Sequence, residues 1–213
     1  MAGTISFEKI KESFPQVMEN LEKNRQYLND LDAPIGDSDH GESVCNAFRK
    51  VKEAVEAFPA DSRDIGALLQ AVGKSIIFSG GAAMGPLYGT AFQDAGKAVA
   101  GKSELTPTDL AVMWDAFAGG VKRRGKVELG EKTMYDTIYP VAEALKNALE
   151  QGRGLRKMVE GAIRAAHGGM ESTREMLSTR GRSSRLGDRS IGHIDPGSAS
   201  SCIIIETFLT NLV

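Results

Sequence analysis

Along most of this 213-residue chain, apolar side chains return every third, fourth or seventh position, the repeat of a helix with one buried face. Ile10, Phe14, Val17, Leu21, Leu28 and Leu31 predict one long helix from Phe7 to Leu31. Val44, Phe48, Val51 and Val55 predict a second, ending near Phe58-Pro59. A third starts after Asp64, a candidate N-cap, and is expected to bury Leu68, Leu69, Val72, Ile76 and Ile77. The Ala-rich stretch from Leu87 to Ala100 predicts a fourth helix, with Gly101 as its C-cap. Thr106, Pro107 and Asp109 open a fifth, carrying Leu110, Met113, Trp114, Phe117 and Val121. Ile138, Val141, Leu145 and Leu149 mark a sixth, and Val159, Ile163, Ala166 and Met170 a seventh from Leu155 to Ser178. The closing Ile203, Ile204, Ile205, Phe208, Leu209 and Leu212 suit a strand by propensity, but their company predicts an eighth helix. The pattern predicts one all-α domain of eight helices over residues 1–213.

Charge narrows the function classes. Lys and Arg number 26 against 28 Asp and Glu, a net charge of −2, which argues against a nucleic-acid or membrane-surface protein. Cys45 and Cys202 lie far apart in helical patterns, so a disulfide framework is not expected and a reducing compartment fits. The first residues lack an uninterrupted apolar leader, and no apolar run is long enough to span a bilayer. The expectation is a soluble cytoplasmic protein.

The chemistry gathers in three polar interruptions. In the first, Leu31-Asp32-Ala33-Pro34-Ile35-Gly36-Asp37-Ser38-Asp39-His40-Gly41, Pro34 and Gly36 oppose helix, so a tight loop can converge Asp32, Asp37 and Asp39. Three close carboxylates repel unless a cation joins them, and oxygen-only donors suit a hard ion such as Mg²⁺. The same residues also fit ordinary N-cap chemistry, with Asp37 or Asp39 as cap and Glu42 closing a capping box.

The second, Ser79-Gly80-Gly81-Ala82-Ala83-Met84-Gly85-Pro86-Leu87-Tyr88-Gly89, suits either an anion site ahead of a helix or close helix packing. Nearby, Gly96-Lys97-Ala98-Val99-Ala100-Gly101-Lys102-Ser103 matches the P-loop pattern, but it follows a helical segment where the motif requires a strand. The run Lys122-Arg123-Arg124-Gly125-Lys126 reads mainly as a solvated helix end, with phosphate binding as the alternative. His167 has only a helical position to speak for it. The third interruption, Gly181 to Gly197, is long, polar and glycine-rich, and Arg182, Arg185 and Arg189 in it are candidate phosphate ligands.

Taken in order, four stretches resemble the nucleotide-binding L subunit of dihydroxyacetone kinases over nearly the whole chain. They are Asp32-x-x-Ile35-Gly36-Asp37-x-Asp39-His40-Gly41, Gly81-x-x-x-Gly85-Pro86-Leu87-Tyr88-Gly89, Gly125-Lys126 with Lys132-Thr133-Met134, and Gly181-Arg182-x-Ser184-x-Leu186-Gly187-x-Arg189-Ser190-x-Gly192-His193-x-Asp195-Pro196-Gly197. The resemblance implies an eight-helix antiparallel barrel holding ADP or ATP with two Mg²⁺ ions. By it, Asp32, Asp37 and Asp39 are the metal ligands. His40, Gly41, Ser43, Gly81, Ala83, Met84, Gly125, Thr133, Met134, Arg182, Asp195, Pro196 and Gly197 line the nucleotide.

It further implies phosphoryl transfer to dihydroxyacetone or a related keto-sugar held on a separate K subunit, so no other catalytic residue is assigned to this chain. The donor is either a phosphocarrier of the sugar phosphotransferase system, which recharges bound ADP, or ATP itself. A non-catalytic nucleotide-loaded module that binds a transcription regulator is the other functional class. Two positions depart from the family: Met84, where a small hydroxyl residue is usual, and Glu42-Ser43, where Leu-Asn is usual.

Overall fold

The computed structural model describes residues 3–79 and 84–213. The predicted first helix is two. Helix α1 spans Phe7–Lys23 and α2 spans Arg25–Asp32. They part at Asn24, whose side-chain amide donates to the Asn20 carbonyl at 2.8 Å and whose backbone leaves the helical region. The apolar period runs on across the break, since Leu21 and Leu28 are both fully buried.

After α2 the chain turns into α3 (His40–Glu56) and α4 (Ile65–Ile77). The Asp64 carboxylate caps α4 by accepting from the Ala67 N–H at 3.0 Å, and the Gly101 N–H also donates to it at 3.0 Å. Ile77, expected in the core, is 40% exposed because it ends its helix with Phe78 at the surface. Helix α5 (Met84–Ala98) packs on α4 through glycines. A Cβ on Gly66 would lie 2.5 Å from the Gly96 carbonyl oxygen, and one on Gly73 would lie 2.7 Å from that of Gly89. The P-loop-like glycine Gly96 is therefore a helix-packing residue, and the segment before it is helical, as the sequence pattern required.

Strand β1 (Ile5–Ser6) pairs antiparallel with β2 (Glu104–Leu105) beside the start of α6 (Pro107–Gly125). Thr106 and Asp109 form a reciprocal capping box there. Helices α7 (Tyr135–Glu150) and α8 (Leu155–Ser172) follow. Helix α8 stops short of the expected Ser178 because the Thr173 carbonyl is taken by the Lys132 ammonium and its hydroxyl by the Asp195 N–H. Short 3₁₀ turns lead to α9 (Pro196–Thr210), capped by Asp195, so the Ile-rich segment is helical as expected. Both cysteines are free and buried.

Neighbouring contacts run α1–α3–α4–α5–α6–α7–α8–α9 and back to α1, a closed ring of helices with α2 against α3. Its interior is an aromatic core in which Phe14, Tyr88, Phe92, Trp114, Phe117 and Phe208 pack edge to face or tilted, with Tyr88 and Phe92 stacked on each other. Helix α9 is buried on nearly all sides. Among the described residues, no helix is long and apolar enough to cross a membrane.

Candidate functional site

A cleft opens at the end of the ring where α2 and α6 finish and α3, α5 and α9 begin. Three helix N-termini bring the positive ends of their dipoles to it, a setting that favours anions.

The acid loop forms one wall. Asp32 is the last residue of α2, and its carbonyl accepts from the Ile35 and Gly36 N–H groups, folding the loop back. Ile35 anchors the turn in the core, Ser38 takes a left-handed conformation at φ 62°, and the Asp39 N–H donates to Asp32 Oδ2 at 3.1 Å. One oxygen each from Asp32, Asp37 and Asp39 lie within 4.8 Å of one another. This all-carboxylate, half-exposed donor set fits a hard divalent cation. Desolvation and the Asp37 charge push the Asp39 carboxyl above the usual range, against the pull of Arg182. Arg182 supplies the nearest countercharge, paired with Asp37 and 3.8 Å from Asp39.

The N-cap alternative does not hold at the side chains. Asp39 occupies the cap position of α3 without a side-chain cap bond. Glu42 pairs instead with Arg25 at 3.1 Å and is not among the cleft residues. The Gly41 N–H is taken by Asn29 Oδ1 at 2.7 Å. His40 Nε2 meets the Ser200 hydroxyl at 2.9 Å, and burial holds its imidazole below the ordinary histidine value, with Asp32 opposing. Ser43 lines the cleft on the next turn.

Met84, Pro86 and Leu87 supply the second wall, while the predicted Gly81 and Ala83 lie outside the described residues. Away from the carboxylates the lining becomes apolar: Leu87, Val121, Val127 and Met134, with Gly125 between them. Thr133, Asp195, Pro196 and Gly197 complete the far side. Asp195 accepts from the Ser198 N–H at 2.7 Å, and burial pushes its carboxyl up to about 6.

Of the three loop arginines, only Arg182 reaches the cleft; Arg185 and Arg189 are exposed elsewhere on the loop. In the basic run, Lys122 and Arg123 pair with Glu128 and Asp94, as solvated residues do, but Arg124 lines the cleft. His167 pairs with Glu206 at 3.1 Å on the surface.

Several cleft residues escape a reading of the sequence. Lys132, 1% exposed with φ 60°, donates its ammonium to the Thr173 and His193 carbonyls and so closes the neck of the 173–195 segment. Arg180 lies bidentate on Glu131, with both contacts at 3.0 Å. Ser200 holds His40. Only Lys132 carries a sequence signal, its place in the Lys132-Thr133-Met134 stretch.

A helical ring whose cleft joins an acid cluster, helix N-termini and an apolar lining defines a class of ligand-binding helical barrels. This chain belongs to the DAK2 domain family, whose model matches residues 34–210. A relative from Listeria innocua, named the ADP-binding subunit DhaL of PEP-dependent dihydroxyacetone kinase 2, is 40% identical over 90% of this chain and 88% of its own length. The Escherichia coli ADP-binding subunit DhaL of PEP-dependent dihydroxyacetone kinase is 41% identical, covering 85% of each chain. The fold is also that of the dihydroxyacetone kinase from C. freundii, solved in complex with AMP-PNP and Mg²⁺, at a TM-score of 0.68 and 23% identity. That match covers 94% of this chain but 33% of the solved one, so this chain spans about a third of that enzyme.

Proposed function

We propose that this chain is the ADP-binding subunit of a dihydroxyacetone-type kinase, working as one nucleotide-binding domain over residues 1–213 in the cytoplasm. The observation that carries the proposal is the make-up of the cleft lining. One cleft is lined by the converging Asp32, Asp37 and Asp39, by the first residues of α3, α5 and α9, and by the apolar Leu87, Val121, Val127 and Met134. A magnesium nucleotide has the matching parts: a cation, phosphates and an aromatic base.

In this reading the three aspartates hold Mg²⁺, as two ions, and the metal neutralises charge on the phosphoryl oxygens. His40 and Ser43 border the phosphates from α3, with the neutral imidazole favoured by burial and oriented by Ser200, while Gly41, expected beside them, is buried behind with its N–H held by Asn29. Met84 borders them from the start of α5, and Gly81 and Ala83, outside the described residues, are assigned to the phosphates by sequence alone. Gly125, Thr133, Met134, Arg182 and Asp195 to Gly197 line the rest of the nucleotide, with Arg182 on the side of the carboxylates. The acceptor, dihydroxyacetone or a related short keto-sugar, is held by a separate K subunit. The PEP-dependence in the names of the relatives supports recharging of bound ADP by a phosphocarrier rather than exchange with free ATP.

Acid denaturation and chromatography of the purified protein, with and without EDTA pretreatment, test this. Near-stoichiometric ADP that EDTA strips is the expected result. An empty protein that binds exchangeable ATP only with Mg²⁺ replaces the phosphocarrier with ATP, and a protein that binds neither nucleotide refutes the assignment.

A further inference from the structure

Arg182 sets its guanidinium directly on the acid cluster. Its Nη1 pairs with Asp37 Oδ1 and lies 3.8 Å from Asp39 Oδ1. Both carboxylates belong to the donor set that converges within 4.8 Å. A small divalent cation bound to both would sit at about 2.0–2.1 Å from each oxygen. The guanidinium nitrogen and such a cation compete for one space, and their like charges repel there.

The backbone behind Arg182 is fixed while its head group is not. Arg180 is held by both Glu131 oxygens and by the Lys126 carbonyl at 2.9 Å. On the other side, the Ser178 and Ser183 hydroxyls bond at 2.6 Å. The Arg182 side chain is 58% exposed and faces the same cleft that would receive phosphates. Its head group can turn from carboxylate to phosphate without movement of the loop.

Resting on the metal–nucleotide reading above, we infer that Arg182 is an internal counter-ion that occupies the cation position and vacates it for a polyphosphate, so that metal and nucleotide load together. Without ligands, the guanidinium offsets the repulsion of the three carboxylates. An arriving phosphate offers its planar fork a bidentate partner. Movement to that partner frees Asp37 and Asp39 for the metal. Nucleotide therefore raises metal affinity, and linkage requires that metal raise nucleotide affinity by the same factor.

The test is Mn²⁺ binding, followed by calorimetry and by the electron paramagnetic resonance of free Mn²⁺, on full-length protein stripped of metal and nucleotide. Wild type, Arg182→Gln and Asp37→Asn are compared with and without ADP. Without ADP, Arg182→Gln is expected to bind Mn²⁺ about tenfold more tightly than wild type. ADP is expected to tighten Mn²⁺ binding by about tenfold in wild type and by much less in the variant. If Arg182→Gln binds Mn²⁺ no more tightly than wild type without ADP, while Asp37→Asn abolishes binding, the counter-ion role is overturned and the metal site stands. If Asp37→Asn binds Mn²⁺ as wild type does, the metal reading itself falls and this inference with it. Circular dichroism spectra matching wild type show that the exposed substitution leaves the fold intact.

Discussion

Gly36 lies so close to Asp32 that a methyl group on its α-carbon would overlap the Asp32 carboxylate. The loop can hold its first acid beside the other two only because residue 36 has no side chain. Gly36→Ala should displace Asp32 and weaken divalent-cation binding by about 10–100-fold, the range for losing a group that orients a metal ligand. Calorimetric titration with Mn²⁺ measures the loss, and an unchanged affinity would show that Asp32 is not a ligand.

Lys132 does for the far wall what Gly36 does for the near one. Its buried ammonium joins two carbonyls, and Asp195 is the foremost opposite charge acting on it. Lys132→Met removes the donor to the His193 carbonyl and leaves the Thr173 carbonyl with the Met176 N–H alone, and should cost about 1–3 kcal/mol of stability in urea unfolding. Hydrogen exchange should accelerate across residues 174–194 while the α4–α5 pair keeps its protection. Uniform acceleration across the chain would mean that Lys132 supports the whole fold and not this wall.

Asp195 gives the protein a pH dependence of its own. Burial pushes the carboxyl from 3.8 up to about 6, so the folded chain keeps a proton that the unfolded chain releases earlier. Its contribution to stability therefore falls as pH rises from about 4 to about 6, by at most about 3 kcal/mol, and is level above that. Asp195→Asn retains an acceptor for the Ser198 N–H and removes the titration. The wild-type stability minus that of the variant should decline across that window, whereas a flat difference would place the carboxyl in water.

The P-loop-like stretch separates packing from binding. Gly96→Ala forces a Cβ to 2.6 Å from the Gly66 carbonyl oxygen and should destabilise the protein by about 1–3 kcal/mol. Lys102, which would be the phosphate-binding lysine of that motif, forms a half-exposed pair with Asp109 at 3.1 Å. Lys102→Ala should leave ADP affinity unchanged in equilibrium dialysis. A large loss of affinity would restore the P-loop reading.

The acid cluster was legible because its members are sequence neighbours in a stretch where Pro34 and Gly36 forbid helix. The helices were legible because their period records which face is buried. What escaped depends on partners remote in sequence. Lys132 finds its carbonyls 41 and 61 positions away, and the early end of α8 follows from the same contact. Arg182 differs from Arg185 and Arg189 only through turns that aim one of three similar side chains at the cleft. Val121 reads as a core position and is fully buried, so the period gives no hint that it also lines the cleft. The split at Asn24 left no trace because both halves bury the same face.

Ring closure between α1 and α9 has a bearing on how the protein is made. Helix α9 is the last element of the ring, and its first turns bring Pro196, Gly197 and Ser200 to the cleft. Pairing α1 with α9 is slow, because contacts across a large sequence separation carry the greatest loop-closure cost. On the ribosome, the acid loop and the start of α5 emerge long before the wall that faces them. A nascent chain in which α9 has not yet emerged holds the three carboxylates but lacks the Pro196, Gly197 and Ser200 wall of the cleft.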